Sequence, residues 1–270
     1  MDSISNAIVA AVGSVAKRGS PLHAPEIGGN EWRYVKECLD TGWVSSAGGY
    51  VEKFEKKLGS YTGSRHAIST VNGTSALHAC LAVLGVSVDE EVILPALSFV
   101  ATSNAVAYCG AIPNFCDISE LTLGLDPFKL EAYLEVIADG EGDNCFNRRT
   151  GRRIAAVVCM HTYGHPVMMD ELLEVCRKFR LPLVEDAAES LGSFYKGKHT
   201  GTIGLLSALS FNGNKIATTG GGGAVLTNSS ELASRATHLT TTAKVKHTWE
   251  FVHDKLGYNY RMPSVNAAIG

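Results

Sequence analysis

The sequence predicts an α/β protein whose mostly parallel sheet is flanked by helices on both faces. Short apolar runs, such as residues 154–160 and 223–227, alternate with segments in which apolar residues recur at helical spacing. Short turns join these segments, as is typical of strand–helix–strand units. The chain has 270 residues, 45% of them hydrophobic, and can therefore bury one large core. Sheets of this kind bind ligands at the carboxyl ends of their strands, where residues distant in sequence meet.

Each element is predicted from its own pattern. Trp32, Val35 and Leu39 form one helical stripe, Gly63 ends the next helix, and Pro95 stops a strand. The predicted helices cover residues 7–16, 28–40, 51–61, 74–84, 101–108, 127–136, 171–179 and 230–238, with a last one starting at 264. The predicted strands cover residues 66–71, 91–94, 112–115, 154–160, 183–185, 205–211 and 223–227. The polar residues 139–153 are expected to form an exposed insertion.

We expect residues 1–240 to form one large domain with an N-terminal helical segment. In that segment residues 7–16 are interpreted as an amphipathic helix. Residues 241–270 are expected to begin a smaller C-terminal domain that is incomplete. The reason is that a new helix opens at Ser264 and the sequence stops before any capping residue.

Composition and motifs argue against several classes of protein. A net charge of −3 gives no basic face for nucleic acid, and no apolar stretch is long enough to span a membrane. The seven scattered cysteines lack a C-x-x-C pair, which predicts reduced thiols and a cytoplasmic location. The glycine motifs of dinucleotide and P-loop sites are absent from the sequence. His161 and His165 are flanked by glycine and proline rather than set on a helix face, so no metal site is expected.

Three segments, in this order, indicate a site for pyridoxal phosphate (PLP). Lys215 lies among small residues before the glycine run 220–223, Asp186 ends an apolar strand, and Gly73 opens a helix after a strand. The lysine can form a Schiff base and later move a proton, and the aspartate can keep the ring nitrogen protonated. The helix start at residues 73–75 can hold a phosphate through its backbone N–H groups.

Each segment taken alone has a simpler interpretation. Lys215 could be an ordinary surface lysine, and residues 73–75 an ordinary capped turn. For Asp186, the local sequence supports a helix N-cap and a ring partner equally well. Ser210 could add a hydroxyl to the phosphate site, and Phe99 could cover the ring, although most phenylalanines lie in the core.

Together the motifs resemble the DegT/DnrJ group of PLP-dependent nucleotide-sugar aminotransferases. The resemblance implies PLP fold type I, the aspartate-aminotransferase-like fold, and it runs from about Pro21 to the end of the chain. The segments that carry it are residues 42–46, 72–75, 95–102, 161–166, 185–190, the Lys215 segment and residues 257–261.

The resemblance also implies roles for individual positions. Lys215 matches the Schiff-base lysine and Asp186 the partner of the ring nitrogen, so these two are the implied catalytic residues. The implied cofactor contacts are Gly73, Thr74, Ser75, Phe99, Asp186, Glu189, Ser210, Lys215 and Asn259. Glu189 falls near the ring hydroxyl, and Asn259 matches an asparagine that reaches the phosphate of the neighbouring subunit, which implies a homodimer. The implied substrate contacts are Trp43, Ser45, Ser46 and His161.

One departure from the family pattern narrows the resemblance. Many members have an acidic residue where this chain has Gly221. Gly221 and the residues before Lys215 together resemble the branch of the family that aminates C4 of a 4-keto-6-deoxy hexose. That reaction lies on the way to legionaminic acid or bacillosamine. The implied reaction is the transfer of an amino group, with L-glutamate as the expected donor, to a nucleotide sugar used for bacterial surface polysaccharide.

Two other functions stay open on the sequence alone. A PLP-dependent sugar dehydratase of the same fold is one, although in those relatives a histidine replaces the lysine, and Lys215 therefore favours amino transfer. The second is a truncated, non-catalytic chain that binds PLP or a partner. The abrupt ending at Gly270 is the feature that suggests it.

Overall fold

The computed structural model describes residues 3–17, 19–21, 23–142 and 144–270. The α-helices are α1 Ser3–Val15, α2 Glu31–Thr41, α3 Gly49–Thr62, α4 Gly73–Val83, α5 Val100–Tyr108, α6 Pro127–Ile137, α7 Met169–Lys178, α8 Ser230–Thr240 and α9 Ser264–Ile269. The strands are β1 His66–Thr70, β2 Glu91–Pro95, β3 Ile112–Cys116, β4 Ala138–Glu141, β5 Asn144–Asn147, β6 Arg153–Met160, β7 Leu183–Asp186, β8 Phe194–Tyr195, β9 Lys198–His199, β10 Leu206–Ser210 and β11 Gly223–Thr227. A short 3₁₀ helix covers Thr162–Gly164.

The main sheet runs in the order β1-β11-β10-β7-β6-β2-β3. β10, β7, β6, β2 and β3 pair in parallel, whereas β11 is antiparallel to both of its neighbours, β1 and β10. The parallel strands therefore end at a common edge, and β1 points the same way. The predicted α/β architecture with a mostly parallel sheet is confirmed.

Helices cover both faces of this sheet because its strands are apolar on both sides. Along β2, Val92 and Leu94 pack in one buried cluster with residues of α4, α5 and α8. Ile93, which lies between them, packs in a second cluster with residues of α6 and α7. The period of two along the strand thus divides the core into two layers.

The expectation of an exposed insertion at residues 139–153 fits most of its described residues but was wrong for Cys145 and Asn147 of β5, which are buried. Asp143 lies outside the described residues. β4 and β5 form an antiparallel hairpin, and β5 pairs with β6 at the edge of the sheet. The buried carboxylate of Glu91 accepts hydrogen bonds from Asn114 (2.8 Å), Asn147 (2.8 Å) and Thr150 (2.6 Å). Two polar residues of the insertion, buried Asn147 and exposed Thr150, are therefore partners of a buried charge.

The two ends of the described chain pack differently. The apolar residues of α1 that were interpreted as one face of an amphipathic helix have no buried member among the described residues. At the other end, Met262 and Ala267 belong to a buried cluster with Val51 and Phe54 of α3. Among the described residues, no helix has the length and apolar character required to cross a bilayer.

Candidate active site at the carboxyl edge of the sheet

The carboxyl ends of β1, β7 and β10 bring three of the predicted segments to one edge. After β1 the chain turns at Asn72 into α4, β7 ends at Asp186, and β10 ends at Ser210. Asp186 lies opposite Ala208 in the parallel pair of β7 and β10, and Ser210 lies opposite Gly223 in the pair of β10 and β11. Residues far apart in sequence therefore meet as the fold class predicts.

The turn into α4 packs closely against the end of β10 and leaves N–H groups of the first helical turn without a helix acceptor. The side chain of Asn72 caps the helix by accepting a hydrogen bond from the N–H of Ser75 (2.7 Å). The N–H groups of Gly73 and Thr74 belong to the first turn and have no intrahelical acceptor. A Cβ atom at Gly73 would lie 2.8 Å from the Cβ of Ser210. These amides and the Ser210 hydroxyl can together bind an anion.

Gly223 shows why part of the glycine run is needed. It pairs with Thr70 of β1 and Ser210 of β10, and a Cβ atom on it would overlap the backbone of Asn72 and Gly73. A side chain at this position would push the turn that begins α4 off the sheet. Gly221, in contrast, has open space at its Cβ position, so a side chain would fit there.

Asp186 is buried, with 5% of its surface exposed. One oxygen accepts a short hydrogen bond from the hydroxyl of Thr102 on α5 (2.6 Å), and the other a long one from the N–H of Ala188 (3.3 Å). Burial raises the pKa of the Asp186 carboxyl, and these hydrogen bonds, with the charge of Lys215, offset that rise only in part. The carboxylate is thus short of positive partners.

Lys215 lies in a closed loop between β10 and β11. The loop is held by hydrogen bonds from the N–H of Phe211 to the carbonyl of Gly222 (2.8 Å) and from the N–H of Thr219 to the carbonyl of Phe211 (3.0 Å). The Lys215 side chain is 14% exposed, and its Nζ forms an ion pair with the carboxylate of Glu189. The amine thus points at the segment that carries Asp186 and not into solvent, which argues against an ordinary surface lysine.

Glu185, the residue before Asp186, is the centre of a buried polar network. Its carboxylate accepts hydrogen bonds from Nε2 of His161 (2.9 Å) and from the backbone N–H groups of Gly201 (2.7 Å), Ile203 (2.8 Å) and Gly204. Burial raises the pKa of Glu185, but the hydrogen bonds from His161 and the backbone outweigh it and leave this pKa below its ordinary value.

His161 begins a turn that connects the Glu185 network to Glu189, the ion-pair partner of Lys215. Its Nδ1 accepts a hydrogen bond from the N–H of Val167 (3.3 Å), so both ring nitrogens are engaged within the protein. Gly164, in the same turn, has a positive φ and packs on the carbonyl of Glu189, where a Cβ atom would collide. The side chain of His161 is buried, and the predicted substrate contact there stays a prediction.

The other predicted contacts lie outside the cluster of Lys215, Asp186 and the α4 turn. Phe99 precedes α5, the helix of Thr102, and is 69% exposed. Asn259 is exposed on the segment that passes the β1–α4 turn, where the N–H of Val71 donates to the carbonyl of Tyr260 (2.8 Å). Their cofactor roles stay predictions.

Residues 42–48 form a loop that is fastened to α9. The carbonyl of Ser45 accepts a hydrogen bond from the N–H of Ser264 (2.9 Å), and Ser46 is exposed. Trp43 lines a hollow of about 420 Å³ between α2 and α3, in which Lys215 takes no part. Within the described part of one chain, these residues do not come together with Lys215, and their substrate contacts stay predictions.

A larger cavity lies beside the cluster. It has a volume of about 590 Å³ and is lined by the Lys215 loop, α3 and residues 24–27. Asp186 and Gly73 are not among its lining residues. We therefore define the candidate site by its convergent polar groups and not by this cavity.

Sequence reasoning gave no role to Thr102 and missed the pairing of Glu185 with His161. A threonine in the first turn of a helix has many local uses, and its distance from Asp186 in the sequence hides the bond. Glu185 did offer a signal, because a carboxylate inside an apolar strand requires buried donors. The sequence alone could not say which donors these are.

The chain is similar in sequence to proteins named as sugar-nucleotide synthases and transaminases. It is 40% identical over 250 residues to the GDP-perosamine synthase of Escherichia coli O157:H7, covering 93% of this chain and 64% of that protein. It is 36% identical over 228 residues to the UDP-4-amino-4,6-dideoxy-N-acetyl-beta-L-altrosamine transaminase of Campylobacter jejuni, covering 84% of this chain and 57% of that protein. This chain thus spans less than two thirds of the length of these relatives.

Structure comparison agrees with the sequence matches. The X-ray structure of an aminotransferase from Psychrobacter cryohalolentis superposes with a TM-score of 0.80 at 30% identity, covering 93% of this chain and 62% of that one. The predicted aminotransferase fold is thereby confirmed. The sequence profile of the DegT/DnrJ/EryC1/StrS aminotransferase family matches residues 25–270. This chain belongs to the DegT/DnrJ/EryC1/StrS aminotransferase family.

Proposed function

We propose that this chain binds pyridoxal phosphate and that the whole protein transfers an amino group to a keto-sugar nucleotide. The observation that carries the proposal is the meeting, at one sheet edge, of the Lys215 amine, the buried Asp186 carboxylate and the free N–H groups of Gly73 and Thr74. Family membership and the names of the relatives support the same reaction class.

The residues present fit this cofactor in charge and in shape. Asp186 is a buried anion short of donors, which suits a protonated ring nitrogen. The start of α4 suits a phosphate, and the missing side chains of Gly73 and Gly223 let the backbone come close to one. Bound PLP would supply an electron sink for a carbanion next to the amino group.

The protein side chains would then divide the work. Lys215 Nζ would hold the cofactor covalently at rest and, once displaced by an incoming amine, would move a proton between carbon atoms. Glu189 is paired with Lys215 Nζ and can orient the amine. Asp186 would keep the ring nitrogen protonated, and Thr102 would hold the Asp186 carboxylate in place.

For the substrate we propose a nucleotide-linked 4-keto-6-deoxy hexose that receives its amine at C4, with L-glutamate as the donor. The Campylobacter jejuni relative is named for a UDP-linked 4-amino-4,6-dideoxy sugar, and the Escherichia coli relative is named for GDP-perosamine. Gly221 and the residues before Lys215 support the legionaminic acid or bacillosamine branch. The two relatives differ in the nucleotide, which is GDP in one name and UDP in the other.

We also propose a homodimer, in which Asn259 reaches the phosphate site of the second copy. Exposed apolar side chains surround the edge that carries the site, among them Leu97 (44%), Phe99 (69%), Val100 (59%) and Tyr163 (85%). Clusters of this kind are typical of protein–protein interfaces. Light scattering should give the mass of two chains, and a monomer at micromolar concentration would remove Asn259 from its role.

The decisive experiment is Lys215→Ala compared with Lys36→Ala. Lys36 is an exposed lysine that pairs with Asp40 (2.6 Å) and lies outside the cluster of Lys215, Asp186 and the α4 turn. After incubation with PLP and borohydride, the wild type and Lys36→Ala should carry a covalent adduct in the mass spectrum, mapped by peptide digestion to residue 215. An adduct that persists in Lys215→Ala at the wild-type yield would exclude Lys215 from its role.

The substrate assignment needs a separate assay. The protein is incubated with L-glutamate and a small panel of GDP- and UDP-linked 4-keto-6-deoxy sugars, and mass spectrometry detects the amino sugar. We expect one nucleotide series to react and Lys215→Ala to form no product. A covalent adduct without any product would leave PLP binding intact and contradict the transfer reaction.

A further inference from the structure

A buried histidine on α4 faces the chain segment that carries Asn259. His78 is 3% exposed, and its ring lies among the rings of Tyr108, Tyr258 and Tyr260, with centroid separations of 5.8, 4.8 and 5.8 Å. Tyr258 and Tyr260 stack on each other at 5.0 Å, with their planes inclined by 16°. We call residues 257–261 the strap.

The backbone of the strap is fastened on two sides. The N–H groups of Tyr258 and Tyr260 donate to the carbonyls of Leu239 (2.7 Å) and Thr240 (3.0 Å) at the end of α8. The carbonyl of Tyr260 accepts from the N–H of Val71 (2.8 Å), just before the α4 turn. The strap therefore lies beside the candidate phosphate site of its own chain.

Side-chain alternation explains why Asn259 is exposed. In extended backbone, neighbouring side chains point to opposite sides. Tyr258 and Tyr260 point together towards His78, so Asn259 between them points away and is exposed. A shift of the strap by one residue would turn Asn259 inwards and a tyrosine outwards.

The contact with His78 is more specific than packing. Nδ1 of His78 and the hydroxyl of Tyr260 share a hydrogen bond of 3.2 Å, whereas Nε2 is buried with no hydrogen-bond partner in the described part of the chain. Burial lowers the pKa of His78, which keeps the ring neutral at neutral pH. The hydrogen bond therefore selects Tyr260, and with it the register of the strap.

We propose that His78 is a positioning residue, which through its contacts with Tyr258 and Tyr260 fixes the strap so that Asn259 faces the cofactor phosphate of a second copy. The target of Asn259 rests on the proposed function. The fixing of the strap rests on the contacts described above.

The test is a double-mutant cycle on PLP affinity with Tyr260→Phe, Asn259→Ala and the double variant. Tyr260→Phe removes one hydrogen bond and should weaken PLP binding about 3- to 10-fold, and His78→Phe should do the same. In the Asn259→Ala background, Tyr260→Phe should cost nothing further. Tyr108→Phe is the matched control, because Tyr108 faces His78 from α5 and not from the strap, and it should leave affinity unchanged.

Hydrogen exchange gives a second readout that does not need the cofactor. Amides of Tyr258 and Tyr260 should exchange faster in Tyr260→Phe, while amides of β6 in the core stay unchanged. Losses of affinity that add up in the double variant, unchanged affinity in Tyr260→Phe, or unchanged strap exchange would each overturn the role of His78. A wild type that takes up no PLP would overturn the proposed function and the target of Asn259, and the exchange would still decide whether His78 fixes the strap.

Discussion

Two consecutive carboxylates at the end of β7, Glu185 and Asp186, have opposite surroundings although both are buried. Glu185 accepts hydrogen bonds from His161 and from three backbone N–H groups. Asp186 has the Thr102 hydroxyl and one long bond from Ala188. The two side chains leave the strand on opposite faces. One carboxylate therefore has a full set of hydrogen-bond donors, and we call it saturated. Its neighbour has few donors, and we call it unsaturated.

The pKa shifts of the two groups follow from this difference. In Glu185 the donors outweigh burial and lower the pKa, whereas in Asp186 burial dominates and raises it. A saturated buried carboxylate stabilises the fold because each partner depends on it. An unsaturated one costs stability until a cationic ligand arrives, and this is typical of functional sites. We therefore propose a structural role for Glu185 and a ligand-binding role for Asp186.

Glu185→Ala should have the largest effect. It removes the acceptor for four buried donors and should lower the free energy of unfolding by about 3–5 kcal/mol, as expected when one partner of a buried polar pair is lost. Denaturant unfolding measures this loss. Glu185→Gln keeps one acceptor oxygen and should lose less. A loss below about 1 kcal/mol in Glu185→Ala would show that the network around His161 is not structural.

Asp186→Asn should weaken cofactor binding without lowering the stability of the fold. It removes the charge that a protonated ring nitrogen would pair with, so PLP affinity should fall about 10- to 100-fold. The cofactor-free protein should lose no stability, because an amide can keep the Thr102 hydrogen bond without a buried charge. Cofactor titration and thermal unfolding measure the two quantities, with Asp40→Asn as a control at an exposed ion pair. Unchanged affinity would separate Asp186 from the cofactor.

The sequence predicted the edge at which these groups meet, but it did not predict their partners. Apolar runs and turn residues suffice for strand ends, and strand ends place Gly73, Asp186 and Lys215 at one side of the sheet. Thr102 and Asp186 are 84 residues apart, and Glu185 and His161 are 24 apart. Such pairs depend on helix placement over the sheet, which local patterns do not specify.

The same limit explains the remaining differences. Residues 139–153 were interpreted as exposed because they are polar, yet Asn147 is buried and donates a hydrogen bond to Glu91. The apolar residues of α1 predicted a buried face, but periodicity identifies a helix without naming what covers it. In both places the sequence does not show which other part of the chain packs against the segment, just as it does not show which donor bonds Asp186.

The smallest expected effect is a pH dependence in the cofactor-free protein. Because the pKa of Asp186 is raised in the folded state, the folded protein binds more protons than the unfolded chain between the ordinary value of 3.8 and the raised value. The stability linked to Asp186 is therefore fully present below pH 3.8 and is lost as pH rises through the folded-state pKa. Asp186→Asn lacks this loss and should melt at a higher temperature than the wild type at neutral pH.

Thermal unfolding of Asp186→Asn and the wild type from pH 3.5 to pH 8 measures the difference between their melting temperatures, which we call the gap. It should close on acidification and stay constant above the folded-state pKa. Glu185 contributes with the opposite sign, but it is present in both proteins and cancels from the difference. Added PLP should narrow the gap at neutral pH by stabilising the wild type more than Asp186→Asn. If the gap instead grows at low pH, Asp186 is stabilised by partners of its own, and the contrast with Glu185 disappears.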